Sequence, residues 1–314
     1  MTWLLWRQHR AGGLVVAVIL VVFAIAAAIT GVRMANLYDS ASASCAAGAL
    51  GCNDVFDRLF SGYGAIIDSV HLTIALPVVL GAFLGATLIA RETEHSTNVV
   101  VWTQGVTRRR WTLTKVGFAL LATIVVAGVT SALVTWWSGT PNAINGNRFQ
   151  GAEFDTQNVV PVAHALFAVG LGLAAGALLR RSLAAVATTV GVYLAVRIVV
   201  TVFLRPHYAA PTALTTAIDP QQSAIPPGSW TLSQSIVGST GNVVTGPIEV
   251  PRSCAEAGRD AADQCLANSG YHGLVRFHPP SSYWRFQWTE SLLYVAIAAV
   301  LTGIAVLVTL RRDA

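Results

Sequence analysis

Six stretches of the chain run apolar for about 20 residues, the length needed to cross a ~30 Å hydrocarbon core at 1.5 Å per residue. They cover residues 14–32, 71–90, 116–137, 159–179, 183–204 and 292–310, and each is nearly free of charge. None shows the polar face that recurs every 3.6 residues on a soluble amphipathic helix. None alternates over ~10 residues as a strand of a membrane barrel does. Backbone N–H and C=O groups have no water to bond to inside lipid, so the six runs predict six transmembrane helices. The fold class expected is an all-α polytopic membrane protein.

The first run follows Arg7 and Arg10 and contains Ala26, Ala27 and Ala28, features shared with a secretory signal. It is longer than a 7–15-residue signal core, so an uncleaved first helix is expected. Positive charge near helix ends then sets the orientation. With the N-terminus inside, the inner segments hold Arg7, Arg10, Arg91, Arg108, Arg109, Arg110, Lys115, Arg180, Arg181, Arg311 and Arg312, against only Glu92, Glu94 and Asp313. The outer segments hold eight cations and twelve carboxylates. Both termini are therefore expected in the cytoplasm, with the chain multi-pass in the plasma membrane. Trp3, Trp6, Trp111, Trp136, Trp137, Trp284 and Trp288 fall within a few residues of a predicted helix end, where an amphipathic ring sits at the headgroups.

Composition agrees with this reading. The chain has 314 residues, 54% hydrophobic and 11% charged, which excludes both a soluble globule and a disordered chain. The net charge of +5 would suit nucleic acid in another context. Here the basic excess hugs the inner membrane face and does not interleave with aromatic residues, so no nucleic-acid partner is expected.

The predicted organisation is a membrane part, 1–204, with an interfacial N-terminal segment and an inner loop at 91–115, then an extracytoplasmic domain, 205–291, and a last helix with its tail, 292–314. The outer loops 33–70 and 138–158 read as short and polar. The 205–291 segment carries nine of the twelve prolines, and at that density long helices break, so a compact cap of short helices and turns is expected there. All four cysteines, Cys45, Cys52, Cys254 and Cys265, lie outside. Of the three possible connectivities the two local pairs are the economical one, in a compartment oxidising enough to keep them. Free buried thiols are the alternative. Zinc fits less well, since spacings of six and ten residues without a nearby His pair miss the usual finger pattern.

The inner loop 91–115 reads RETEHSTNVVVWTQGVTRRRWTLTK. Val99, Trp102 and Val106 fall at i, i+3 and i+7, one apolar stripe of a short helix. Ser96 and Thr97 suit its N-cap, Gly105 its end, and Thr107 the cap of the helix that carries Arg108–Arg110 into the membrane.

Several chemistries are absent. The single lysine, Lys115, stands between Thr114 and Val116, so no P-loop exists and the chain cannot be a conventional ATPase. There is no His-Glu-x-x-His zinc helix, and the nearest approach to a nucleophile elbow is Gly238-Ser239-Thr240-Gly241 in a turn-rich loop.

At 91–115 the sequence resembles the six-helix permease subunits of ABC-2 type (type V, ABCG-like) exporters, whose second-to-third helix loop has the form Glu-x-x-x-Gly-Thr, a short apolar helix, a small-residue turn, Arg and finally Lys. Glu92, Ser96-Thr97, Val99 to Trp102, Gly105-Val106-Thr107-Arg108 and Lys115 occupy those places. Ser96 replaces Gly, and Gly105 stands where Pro is common. The start Trp6-Arg7-Gln8-His9-Arg10 also resembles such permeases. The resemblance implies a coupling helix docked on a separate ABC ATPase subunit, a second permease copy, and no cofactor bound by this chain, with ATP and Mg held by the partner. Glu92, Glu94, Thr97, Val99, Trp102, Val106, Arg108, Arg109 and Arg110 are the coupling residues it implies. The alternative function is a polytopic sensor or immunity protein that binds a peptide or lipid through its outer cap.

Arg197, two-thirds along the fifth helix, is the one cation inside a predicted span. A charge in lipid costs at least ~2.5–3.5 kcal/mol, so it needs a partner or water. It either snorkels to the outer headgroups beside Arg205 or lines a pathway and pairs with Glu290 or Asp68. His71, Asp68 and His164 read as capping or interface residues. Pro77 predicts a kink in the second helix, and Gly81-x-x-x-Gly85 and Gly172-x-x-x-Gly176 permit close helix approach.

Overall fold

Long charge-free runs bury their own backbone hydrogen bonds, and the computed structural model of the chain is accordingly dominated by helices. It describes residues 2–46, 52–95, 107–149, 151–216, 225–238, 241–244, 254 and 265–312. Six helical spans are long and apolar enough to cross a membrane: Arg10–Ala43, Ser61–Glu94, Arg108–Trp137, Val160–Leu179, Ser182–His207 and Pro280–Arg311. The chain is an all-α polytopic membrane protein in its spanning part.

Helix α1 runs Thr2–Ala46 and α2 runs Cys52–His71. The segment expected as a short polar loop at 33–70 is thus mostly helical. Its inner face explains why: Met34 and Val70 are buried with Ala27, Val134 and Trp137, and Tyr38, Tyr63, Ile66 and Ile67 pack against them. Trp137 Nε1 donates to Thr30 Oγ1 at 2.9 Å, which ties α1 to the third span. The second expected loop, 138–158, is likewise structured, by α6 and α7 below.

The second span is irregular where Pro77 sits. A 3-10 turn at Leu72–Ala75 leads into α3, Leu76–Leu80, then a π segment, Gly81–Ala86, and α4, Thr87–Glu94. Proline has no N–H to bond the preceding turn and its ring crowds that turn's carbonyl, so the helix changes hydrogen-bond register around it. Helix α5 spans Arg108–Trp137, α6 Gly139–Asn145, α7 Gly151–Thr156, α8 Val160–Leu179, α9 Ser182–Val199 and α10 Tyr283–Arg312.

Helix α8 is the central one, with buried positions all round its surface from Val160 to Ala177. A helix buried on every side must be apolar on every side, which is why this run shows no polar face. The two small-residue motifs interlock. A Cβ on Gly85 would stand 2.7 Å from the Val169 carbonyl oxygen and 3.1 Å from Gly172 Cα. One on Gly176 would stand 2.7 Å from the Ala86 carbonyl oxygen. Removing those Cβ atoms lets the π segment and α8 meet backbone to backbone, the usual way membrane helices gain packing without a hydrophobic drive between them. Leu88, Ile89, Val116, Ala119, Val169, Leu173, Ala177 and Ala305 complete the core across α4, α5, α8 and α10.

The chain divides into two compact units. One comprises Met1–Ile144, Gly151–Val202 and Gln287–Ala314; the other comprises Asn145–Gln150 and Phe203–Phe286. Among its described residues the second unit holds a three-stranded antiparallel sheet instead of the expected short helices. Its strands are β1, Thr212–Thr216, β2, Trp230–Val237, and β3, His272–His278, in the order β1-β3-β2. β-branched and aromatic residues in these runs favour a pleated surface, and proline is confined to their flanks. Pro227-Gly228 forms the centre of a turn in which Ser229 N donates to the Pro226 carbonyl at 3.2 Å. Gly228 has φ 81°, the left-handed conformation that the second central residue of a type II turn requires. Phe149, Trp230, Tyr283 and Phe286 pack their rings within this unit, at centroid distances of 5.4–6.0 Å from Phe149 or from one another. Cys254 and Cys265 form a disulfide, with Cα atoms 5.4 Å apart. The side chains of Cys45 and Cys52 lie outside the described residues.

Candidate functional site

Two polar constellations stand out from the apolar bundle. The first frames the segment 96–106, which itself lies outside the described residues together with Thr97, Val99, Trp102 and Val106. On its N-terminal side, α4 presents Glu92 and Glu94 in its last turn. Glu92 is ion-paired with Lys115, whose side chain is only 5% exposed and whose ammonium lies 4.6 Å above the Trp111 ring. Glu94 Oε2 accepts hydrogen bonds from Ser182 N at 2.9 Å and from Ser182 Oγ at 2.7 Å. The first N–H groups of a helix lack internal partners and carry partial positive charge. The carboxylate of Glu94 therefore caps α9 from another helix. On the C-terminal side Thr107 caps α5, its Oγ1 accepting from Arg110 N at 3.4 Å. Arg109 and Arg110 are exposed and Arg108 is half-buried.

Glu92, half-buried, and Glu94, exposed, thus both have partners on neighbouring helices. The end of α4 is bound to the starts of α5 and α9 by these two carboxylates.

The second constellation is buried. Arg197 on α9 does not snorkel: its side chain is 11% exposed and its guanidinium points into the bundle. Nη2 donates to Asp155 Oδ2 at 2.5 Å, and Nη1 donates to Glu290 Oε1 at 3.1 Å. Nη1 also lies 2.9 Å from His164 Nε2, which in turn lies 3.1 Å from Glu290 Oε1. The Tyr294 ring stands edge-on to His164 at 4.5 Å, and Phe167 packs against both Tyr193 and Tyr294. Glu290 and His164 are buried almost completely, and Asp155 is 6% exposed.

Each side chain arrives from a different element: Asp155 from α7, His164 from α8, Arg197 from α9 and Glu290 from α10. One turn before Glu290, Gln287 fixes the register of α10. Its Oε1 accepts from Val160 N at 3.2 Å, and its Nε2 donates to the Phe154 carbonyl at 3.1 Å. Nearby, Glu153 Oε1 lies 3.6 Å from His71 Nε2, which ties α7 to α2.

Buried charges persist only when paired and hydrogen-bonded, and this network meets that condition. Glu290 was identifiable from sequence as a partner of Arg197, whereas Asp155 and His164 were not. Asp155 lies in a stretch that reads as loop, and His164 reads as an interface residue. The signal that marks them is burial of an ionisable group within a membrane bundle, which needs the tertiary contacts.

Asp155, His164 and Glu290 each offer one ligand atom, all within 4.8 Å of one another, a spacing that suits a metal ion. The Arg197 guanidinium already contacts all three residues, so a metal would have to sit against a fixed positive charge. The donor set therefore suits a resident guanidinium better than a divalent cation.

No curated protein and no solved structure matches the chain. A family model described as ABC-2 membrane transporter related matches residues 17–205, a stretch that holds most of the first and fifth spans and all of the three between, the Glu92 and Glu94 contacts, and Arg197 with Asp155 and His164. With six spans, the glycine-interlocked bundle and that match, the chain belongs to the ABC-2 membrane transporter related family.

Proposed function

We propose that the chain is the membrane-spanning permease subunit of an ATP-driven exporter, with hydrolysis carried out by a separate ABC ATPase. The plasma membrane is its site, both termini and the 91–115 loop face the cytoplasm, and two permease copies form the working unit. The inside excess of arginine supports the orientation, and the lack of a P-loop supports a reading in which a partner holds ATP and Mg.

The observation that supports the coupling reading is the pair of contacts made by Glu92 and Glu94 at the end of α4. An apolar stripe of Val99, Trp102 and Val106 suits a groove on a partner, as an amphipathic helix does. Arg108, Arg109 and Arg110 beside it supply rim charges that set register. Glu92 and Glu94 act one step further in. Because Glu92 holds Lys115 on α5 and Glu94 holds the start of α9, a displacement of the loop is passed to three helices at once. In this reading ATP-driven closure of the partners pulls on these contacts and rocks the helices between inward- and outward-facing arrangements.

The test is co-purification with an ABC ATPase encoded beside this chain. Trp102→Asp is expected to abolish the complex. Glu94→Ala is expected to keep the complex while lowering the ATP hydrolysis that the permease stimulates. Survival of full complex and full stimulation in both variants would overturn the coupling reading. Absence of any ATPase partner, with peptide or lipid bound by the purified chain, would favour a sensor.

A further inference from the structure

The buried network holds a feature that ion pairing alone does not explain. Arg197 Nη1, His164 Nε2 and Glu290 Oε1 form a triangle with sides of 2.9, 3.1 and 3.1 Å. Arginine stays protonated, so Nη1 donates along the two sides that meet at it. The third side joins a carboxylate oxygen to an imidazole nitrogen, and two acceptors at that separation repel. It closes as a hydrogen bond only when a proton lies on it. A neutral histidine carrying its proton on Nε2 would fill that side, but it would turn an N–H against Nη1 at 2.9 Å. The arrangement that satisfies all three sides keeps the Nε2 lone pair toward the arginine and places one proton on Glu290 Oε1, so that the carboxylic acid donates to His164 Nε2.

We propose that this cluster is a proton-binding site, holding one exchangeable proton between Glu290 and His164. The formal tally of the four side chains points the same way. Asp155 and Glu290 contribute two negative charges and Arg197 one positive, and an added proton brings these four to neutrality, the state that burial in a membrane bundle favours. Among the described residues, the charged and titratable groups facing the site are Asp155 from α7, His164 from α8, Tyr193 and Arg197 from α9, and Glu290 and Tyr294 from α10. Glu153, also on α7, is engaged with His71 instead.

The proton acts as a latch. With it in place, α7, α8, α9 and α10 meet at one closed hydrogen-bonded ring. Its loss sets a carboxylate against an imidazole lone pair across 3.1 Å and loosens α10 from α8. A rearrangement that parts these helices releases the proton, and closure takes it up again. The inference rests on burial and geometry within the bundle and not on the coupling reading, so the two fail separately.

The experiment uses the purified full-length chain in lipid nanodiscs at about pH 8, where exposed carboxylates and imidazoles are deprotonated. Infrared spectroscopy reads the carboxylic-acid C=O band of Glu290, and 15N-histidine NMR reads the state of the His164 imidazole. The band is expected from the wild type, at one proton per chain, with His164 neutral. Glu290→Gln removes the band, and Asp155→Asn, which takes away one of the two negative charges, lowers the pH at which it is lost. Absence of the band from the wild type overturns the proposal, even if the variants do not fold. An imidazolium signal in its place, or a band untouched by Glu290→Gln, overturns it as well. So does stoichiometric Zn2+ binding that His164→Gln abolishes, since the occupant would then be a metal ion.

Discussion

Replacing Arg197 with methionine removes the charge while keeping an unbranched apolar stem. The guanidinium it removes serves Asp155 at 2.5 Å and Glu290 at 3.1 Å, both within the bundle. Breaking a buried ion pair by deleting one partner costs about 3–5 kcal/mol, because the other charge stays buried. A second route to the magnitude agrees. Neutralising one carboxylate at pH 7 costs about 1.4 kcal/mol for each unit above its ordinary pKa near 4, hence about 4 kcal/mol. Arg197→Met should therefore lower the folded-to-unfolded ratio close to a thousandfold. The same physics predicts rescue: Arg197→Met combined with Asp155→Asn and Glu290→Gln leaves no ionised carboxylate in the cluster and should recover more than half of the loss. The assay is equilibrium unfolding of the detergent-purified chain across an SDS titration, followed by circular dichroism. A single variant within about 1 kcal/mol of wild type, or a triple variant no better than the single, would refute the reasoning.

Other perturbations separate further parts of the structure. Gly172→Ala places a methyl 2.6 Å from Ala86 N, whereas Gly117→Ala meets nothing within 4 Å. The same unfolding assay should show the first less stable than the second by about 1–3 kcal/mol, the usual cost of overpacking; equal stabilities would remove the interlock. Cys254→Ser opens a bridge between residues 11 apart in sequence, so the unit it closes should lose about 3 kcal/mol of unfolded-state restraint and become more sensitive to limited proteolysis. Burial pushes the His278 imidazole below its ordinary value, partly offset by its hydrogen bond to the Pro206 carbonyl at 3.0 Å. The unfolded chain then binds a proton that the folded state refuses, so stability conferred at neutral pH falls as pH drops through about 6.5. Proteolysis of the 203–286 unit should accelerate below that pH, and His278→Gln should flatten the dependence.

Membrane spans are legible from sequence because lipid imposes one rule on every residue of a span. Length and apolarity suffice to place it, and the six runs are found as six spanning helices. Thr107 is legible as a cap for a similar reason, since capping is local chemistry of three residues. Soluble segments carry a weaker signal. At 33–70 polar residues suggested a loop, whereas Tyr63, Ile66 and Ile67 face α1 and make the stretch helical. In 205–291 proline frequency suggested turns, whereas the strands lie between the prolines and pair across more than 60 positions, Thr212 with Phe277.

By itself the sequence determined that this protein spans a membrane six times, carries no P-loop, and has one arginine that must find company inside the bundle. Only the tertiary structure decided which company. Asp155, His164 and Glu290 come from three elements spread over 135 positions, and nothing in their local patterns marks them as neighbours. The same holds for the two glycine motifs, each ordinary alone and meaningful because Gly85 faces Gly172. Burial in lipid is a property of a segment and can be read from its own residues. Charge compensation and close packing are properties of pairs, and pairs distant in sequence exist only once the chain has folded.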